Sequence, residues 1–313
     1  MVAAMEPLAP GMRRIGKIMR RLPGSSVAKA TPEEIIRNSG AGAPELMASI
    51  LMGNRPRSVS TEDRTVEGLD LRIYTPAGQT TGRPLVVYFH GGGFVFGDLR
   101  GGDWICGTVA KNLDAIVVSV GYRLAPKHPF PAGVDDCYMG LVWAADHADE
   151  LGADAGRLGV MGESAGGNLA AVVALMARDN GTPIVRHQAL LYPSTGAGET
   201  DSRRTNADAF ILTAADMKKF GELYAGDSTD WRVSPLKASS FTGLPPALIE
   251  VAGHDPLHDD GVLYAKALRE AGVEVRLFDF PAMPHGFLNF PRFARDAKSA
   301  LAALVNAQRS ALL

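Results

Sequence analysis

Apolar positions along the chain follow two periods. Short β-branched runs (Leu71–Tyr74, Leu85–His90, Ala115–Val120, Arg157–Met161, Ala189–Tyr192, Ala247–Val251 and Glu274–Phe278) read as strands. Between and after them lie stretches with apolar residues at helical spacing, among them Gly133–His147, Ala165–Arg178, Gly261–Ala271 and Asp296–Ala311. Strands alternating with helices build βαβ units on a mainly parallel sheet. The runs at 85–90 and 115–120 are almost wholly apolar, as strands covered on both faces must be. The earliest stretch, Ser58–Thr75, alternates on either side of Glu67-Gly68 and predicts an antiparallel hairpin at the sheet edge.

Two regions break this rhythm. Residues 1–50 are helical in pattern and precede the first strand. Residues 194–240 interrupt the alternation after Tyr192-Pro193 with a polar, glycine-containing stretch and then a helix around Ala214–Tyr224. The expected organisation is therefore an α/β core in two parts, 51–193 and 241–313, with a cap made of 1–50 and the insertion 194–240. The segment from Met12 to Leu22 is basic, with Ile15, Ile18, Met19 and Leu22 at helical spacing. It predicts a helix packed on the protein, a membrane-surface helix being the alternative.

Composition narrows the function classes. A chain of 313 residues suits one large α/β domain or a domain with a modest appendage. A net charge of −2 with no basic face argues against a nucleic-acid partner, whose phosphates demand concentrated lysine and arginine. Two cysteines, Cys106 and Cys137, make no disulfide framework and lack metal-ligand spacing. Both read as small buried residues of helices, and a reducing, cytoplasmic compartment is the simplest expectation, with a single bridge left open. No apolar run reaches the ~20 residues of a membrane span, and the N-terminus carries no secretory signal pattern.

Candidate chemistry is concentrated in four places. Gly162-Glu163-Ser164-Ala165-Gly166 stands between a strand and a helix, the setting of a nucleophile elbow. Small residues at 162 and 166 let the turn pack closely and push the Ser164 hydroxyl clear of the sheet, at a helix N-terminus whose amides favour negative charge. His90-Gly91-Gly92-Gly93 follows a strand directly, and such a run exposes N–H groups suited to an oxyanion. The amides of Gly91, Gly92 and Ala165 are the expected donors. A base following the serine in the chain is sought among His187, His254, His258 and His285. His285, in a loop past the Glu274–Phe278 strand, lies at the same sheet edge as Ser164 and is the expected base. Asp255 ends its strand and is the expected orienter of the imidazole. Asp279 is its rival, and Asp259 and Asp260 read as caps of the next helix.

Together these residues resemble the hormone-sensitive-lipase-like esterases of the α/β-hydrolase superfamily. The likeness runs through His90–Asp98, Tyr122–Pro131, Gly162–Gly167, Asp255–Gly261 and His285–Phe287. It implies an eight-stranded, mostly parallel sheet with a helical cap, no metal or organic cofactor, and His90, Gly93 and Glu163 as supporting residues, with Tyr122 and Arg123 structural. Lys127 replaces the glutamate usual in the family, which puts a local ion pair in doubt, and Glu163 stands where aspartate is more frequent. The implied reaction is two-step acyl transfer by Ser164 and His285 on a small-molecule ester of short to medium acyl chain. The apolar residues Met12, Ile15, Met19, Phe210, Ile211 and Leu212 are expected to furnish a hydrophobic acyl pocket. The same machinery suits a specialised ester, a lactone or an amide, and relatives that keep the pocket only to bind a ligand define the alternative class. Pairing through C-terminal sheet-edge elements makes a homodimer the expected assembly if there is one.

Overall fold

Strand β3 (Arg83–Phe89) shows why the sheet sits where it does: every one of its residues is buried, and successive side chains enter different cores. Leu85, Val87 and Phe89 join the apolar cluster on one face, while Val86 and Tyr88 join the cluster on the other. The computed structural model describes residues 6–19, 26–38, 51–78 and 81–313. The remaining strands are β1 (Val59–Val66), β2 (Leu69–Pro76), β4 (Ile116–Gly121), β5 (Ala153–Glu163), β6 (His187–Leu191), β7 (Ala247–His254) and β8 (Val275–Pro284). They form one eight-stranded sheet in the order β1-β2-β4-β3-β5-β6-β7-β8. The β1–β2 and β2–β4 pairs are antiparallel and the others parallel. The expected edge hairpin turns at Glu67 and Gly68, both at positive φ.

The α-helices among the described residues are α1 (Pro10–Met19), α2 (Pro32–Asn38), α3 (Asp103–Leu113), α4 (Ala132–Asp146), α5 (Ala165–Asn180), α6 (Asp201–Thr205), α7 (Ala214–Tyr224), α8 (His258–Glu270) and α9 (Ala297–Leu312), with four short 3-10 turns besides. Side chains of α4, α5 and α8 fill one face of the sheet; those of α1, α3 and α9 fill the other. Cys137 of α4 and Cys106 of α3 therefore lie on opposite faces, both buried and free, and the single bridge left open from sequence is ruled out.

Several boundaries shift from expectation. β5 begins at Ala153 rather than Arg157, because Ala153 and Asp154 pair with Arg83 and Pro84 before a register shift at Pro84/Leu85. β8 runs on to Pro284, paired with His254 past an irregularity at Gly253, where an added Cβ would lie 2.2 Å from the Pro281 carbonyl oxygen. Met12 and Ile15 of α1 are buried, but Ile18 is 56% exposed and lies off the packed face. Residues 20–22 and 39–50, and the Met19 side chain, lie outside the described residues. Among the described residues no helix is long and apolar enough to cross a membrane.

Candidate active site

β5 ends at Glu163 and α5 begins at Ala165, so Ser164 alone makes the turn. Its φ of 55° and ψ of −118° put a non-glycine residue in a sparsely populated region, at a cost of about 1–3 kcal/mol. Close packing enforces that conformation. A Cβ on Gly162 would lie 2.1 Å from the Gly166 carbonyl oxygen, and one on Gly166 would lie 2.0 Å from that of Phe89. The second contact also brings the elbow against the end of β3, where the glycine loop begins.

His285 directly follows β8, and its Nε2 lies 2.8 Å from Ser164 Oγ. Its Nδ1 lies 2.7 Å from Asp255 Oδ2. Asp255 is wholly buried and its other oxygen accepts the Leu257 amide at 2.8 Å. A carboxylate only accepts, so Nδ1 carries the imidazole proton and Nε2 presents its lone pair to the serine hydroxyl. The three side chains directly follow the C-terminal ends of the parallel strands β5, β7 and β8, the edge where open α/β folds gather their chemistry.

Gly91, Gly92 and Ala165 line the same cavity as Ser164 and His285. Among the described residues their amides donate to no acceptor. Gly92, at φ 119°, has no room for a side chain, since a Cβ would sit 2.2 Å from the Phe96 carbonyl oxygen. His90 stacks on Tyr122 with ring centroids 4.3 Å apart and donates from Nδ1 to the Gly91 carbonyl at 2.8 Å. Burial lowers its pKa, which keeps the ring neutral. The Tyr122 hydroxyl donates to the His90 carbonyl at 2.8 Å, and Arg123 pairs with Asp136. Lys127 is exposed and forms no ion pair among the described residues.

Glu163 is nearly buried, and its carboxylate accepts from Tyr88 at 2.9 Å, Tyr192 at 2.8 Å and Asn289 at 2.7 Å. Burial raises both phenols well above their ordinary pKa, so they remain donors. Tyr192 also meets the His285 ring edge-on at 5.1 Å. Sequence reasoning missed Tyr88, Tyr192 and Asn289. The available signal was a tyrosine within one largely apolar run, Leu85–Phe89, and at the end of another, Ala189–Tyr192, since a buried phenol needs a partner.

The other titratable candidates do different work. Asp279 bonds to His258 Nε2 at 3.2 Å, not to His285. His254 donates to the Glu6 carbonyl, and burial pushes His187 down to about 4, neutral at the start of β6. Asp259 and Asp260 are not helix caps, contrary to the sequence reading. Asp260 is buried and accepts the amides of Thr195, Gly196 and Ala197 while pairing with Arg203 at 3.0 Å. Asp259 accepts the Ser202 amide at 2.9 Å. Both carboxylates thus anchor the segment after β6 to α8, because that segment's turns leave amides that no strand satisfies.

Asp279, with burial opposing and Asp259 assisting, pushes His258 up to about 9. A raised imidazole adds stability that is fully present below its unfolded value of about 6.5 and is lost as pH rises toward 9. Asp279→Asn is expected to lower the His258 midpoint in an imidazole proton NMR titration and to flatten the decline in melting temperature across that window. A midpoint that stays near 9 would show that Asp279 is not the cause.

The cavity holds about 840 Å³ and is mainly apolar, with Phe94, Met217, Phe220, Tyr224, Val233 and Phe290 among its walls. Ile211 and Leu212 line it as expected, but Met12, Ile15 and Phe210 do not. Those three pack in or against the core beneath α1, where a Cβ on Gly16 would touch the Phe210 ring at 2.8 Å. Among the described residues no three His, Cys, Asp or Glu side chains converge as a metal site requires.

Comparison with known proteins agrees with this architecture. A family profile described as α/β hydrolase fold matches residues 86–289. The carboxylic ester hydrolase LipN of Mycobacterium tuberculosis is 44% identical over 267 residues, 79% of this chain and 71% of that protein. The carboxylesterase NlhH of the same species is 44% identical over 262 residues, covering 79% and 82%. Among solved structures, a hyperthermophilic esterase from Pyrobaculum calidifontis superposes with a TM-score of 0.84 at 36% identity, covering 98% of this chain and 100% of that one. With a sheet of this order, a strained serine at the strand–helix turn and this similarity, the chain belongs to the α/β-hydrolase family, among relatives that are carboxylic ester hydrolases.

Proposed function

We propose that the chain is a serine carboxylesterase in which Ser164 is the nucleophile, His285 the general base and Asp255 its orienter. The observation that carries this reading is the continuous Ser164–His285–Asp255 hydrogen-bond relay, 2.8 and 2.7 Å, beside the glycine loop. Ser164 Oγ gives its proton to His285 Nε2 and attacks the ester carbonyl. The resulting oxyanion is held by the amides of Gly91, Gly92 and Ala165, donors of the kind each worth roughly 10²–10³ in rate. His285 protonates the departing alcohol, then activates a water that releases the acid from Ser164.

The insertion 194–240 and the N-terminal segment act as a cap over this site, and the mainly apolar cavity supports short- to medium-chain acyl groups. Two free buried thiols support a reducing, cytoplasmic setting. Hydrolysis of p-nitrophenyl esters from acetyl to palmitoyl tests the function, with an optimum in the short to medium range expected. Absence of turnover at every length by folded protein would refute carboxylesterase activity on simple esters and move the reading to a specialised substrate or a binding role.

A further inference from the structure

Besides the two cores flanking the sheet, the structure has a third apolar cluster, and it joins the glycine loop to the cap. It contains Val95 of the loop, Val27 and Ile35 of the N-terminal segment, and Leu223 and Tyr224 of α7, with Phe94, Phe96 and Phe220 packed against it. The contacts are specific. Phe94 stacks on Tyr224 with centroids 4.0 Å apart and planes 10° from parallel. Phe96 meets Phe220 edge-on at 6.1 Å. Phe220 also lies directly on Gly93, where a Cβ would come within 2.5 Å of the ring.

This part of the loop does not hold its shape by intrinsic preference. Gly92, Gly93 and Phe94 are successive residues at positive φ, and Phe94 at 64° is not a glycine. Such a backbone persists only where its surroundings over-determine it. Within the loop the Gly92 carbonyl accepts the Val95 amide at 3.1 Å and the Phe96 amide at 2.9 Å; from outside it, Phe94 is held by the stack on Tyr224 and by its carbonyl, which accepts the Ala125 amide at 2.9 Å. The Tyr224 carbonyl in turn accepts the Phe130 amide at 2.9 Å, next to that same segment.

α7 is itself tied down at its other end. Asp216 closes a capping box with Thr213. The same carboxylate accepts the Ser26 hydroxyl at 2.7 Å and the Ala28 amide at 3.1 Å. Burial would raise the Asp216 pKa, but the hydrogen bonds from Thr213, Ser26 and Ala28 prevail and hold it below the usual carboxylate range. The path from residues 26–28 through Asp216, α7 and the Phe94–Tyr224 stack ends two residues from the Gly92 amide.

We propose that Tyr224 and Phe220 of α7 are positioning residues for the oxyanion donors, so that the cap sets the geometry of the Gly91–Gly92 amides as well as covering the cavity. The inference rests on the esterase reading for its kinetic consequence, but the mechanical coupling it asserts does not. Tyr224 acts through its ring, since its buried hydroxyl has no partner among the described residues.

The test compares wild type with Tyr224→Ala, Tyr224→Leu and Tyr224→Phe. With p-nitrophenyl acetate, which presents the smallest acyl group of the ester series, Tyr224→Ala and Tyr224→Leu are expected to lower kcat by roughly 10–100-fold, with KM changed by less than about threefold. Inhibition by a trifluoromethyl ketone, whose adduct with serine bears an oxyanion, should weaken in proportion to kcat/KM. Tyr224→Phe, which keeps the ring, should rescue most of both. A loss confined to KM, or kcat within about twofold of wild type in both the Ala and Leu variants, would reduce α7 to a wall of the cavity. Hydrogen exchange reads the coupling without catalysis: the Val95 and Phe96 amides, which donate to the Gly92 carbonyl, should exchange about tenfold faster in Tyr224→Leu while those of 169–172 stay unchanged. Unaltered exchange at Val95 and Phe96 overturns the proposal even if the enzyme is active. Accelerated exchange in a protein with no esterase activity would sink the functional reading alone.

Discussion

Replacing Ser164 by alanine is expected to lower kcat toward p-nitrophenyl esters by about 10⁶ and to leave the melting temperature nearly unchanged. Alanine loses the oxygen that receives the acyl group but keeps the Cβ, so the turn at φ 55° carries the same backbone strain in both proteins. Asp255→Asn should cost about 10⁴ by a different route. Its amide can still accept from Leu257 but must then donate toward His285 Nδ1, forcing the imidazole into the tautomer whose Nε2–H faces Ser164. The double variant should be no worse than Ser164→Ala alone, because the base has nothing to deprotonate once the hydroxyl is gone. Initial rates of the three variants against wild type, with circular dichroism as the check on folding, decide the matter. An alanine variant that retains more than about 1% of kcat would remove Ser164 from the reaction.

The local parts of this site were legible in the chain because each carries a constraint within a few residues. Gly162 and Gly166 stand where a Cβ would meet backbone at 2.1 and 2.0 Å, so no larger residue fits the turn as it stands. The Glu67-Gly68 turn, with both residues at positive φ, belongs to the same class. The supports that act across the chain were not legible. Asp260 satisfies Thr195, 65 residues away, and Asp216 satisfies Ser26, 190 residues away. An acidic residue at a helix start reads as a cap whether it serves its own helix or a distant loop, and only the fold distinguishes them. Apolar residues share this ambiguity. Ile211 and Phe210, neighbours in sequence, both pack against the core under α1, but only Ile211 also lines the cavity. Hydrophobicity reports burial, not which of two apolar spaces a side chain enters.

Glu250 sits where pattern reasoning would place an apolar residue, and it leads to the second large effect. On β7 it alternates with Ile249 and Val251, which enter one core, and shares its face with Leu248 and Ala252, which belong to the other. It is wholly buried, and neither carboxyl oxygen has a hydrogen-bond partner among the described residues. Burial alone pushes its pKa from 4.5 up to about 8. The sign is that of a destabilising group. Below about 4.5 the carboxyl is protonated in both folded and unfolded chains and contributes no pH dependence. Between about 4.5 and 8 the unfolded chain ionises while the folded one does not, so stability falls as pH rises. Above about 8 the full penalty applies, on the order of 3–5 kcal/mol. Glu250→Val, close in volume and suited to a strand, removes both the titration and the unsatisfied oxygens. The variant is expected to melt roughly 5–10 °C higher than wild type at pH 8, with the gain shrinking steadily toward pH 4.5 and activity on acetate esters retained, since Glu250 touches none of the three relay side chains. Melting curves of both proteins from pH 4.5 to 9 provide the measurement. Parallel profiles would mean that Glu250 does not titrate in this window, and that the burial penalty is met by a partner the fold supplies elsewhere.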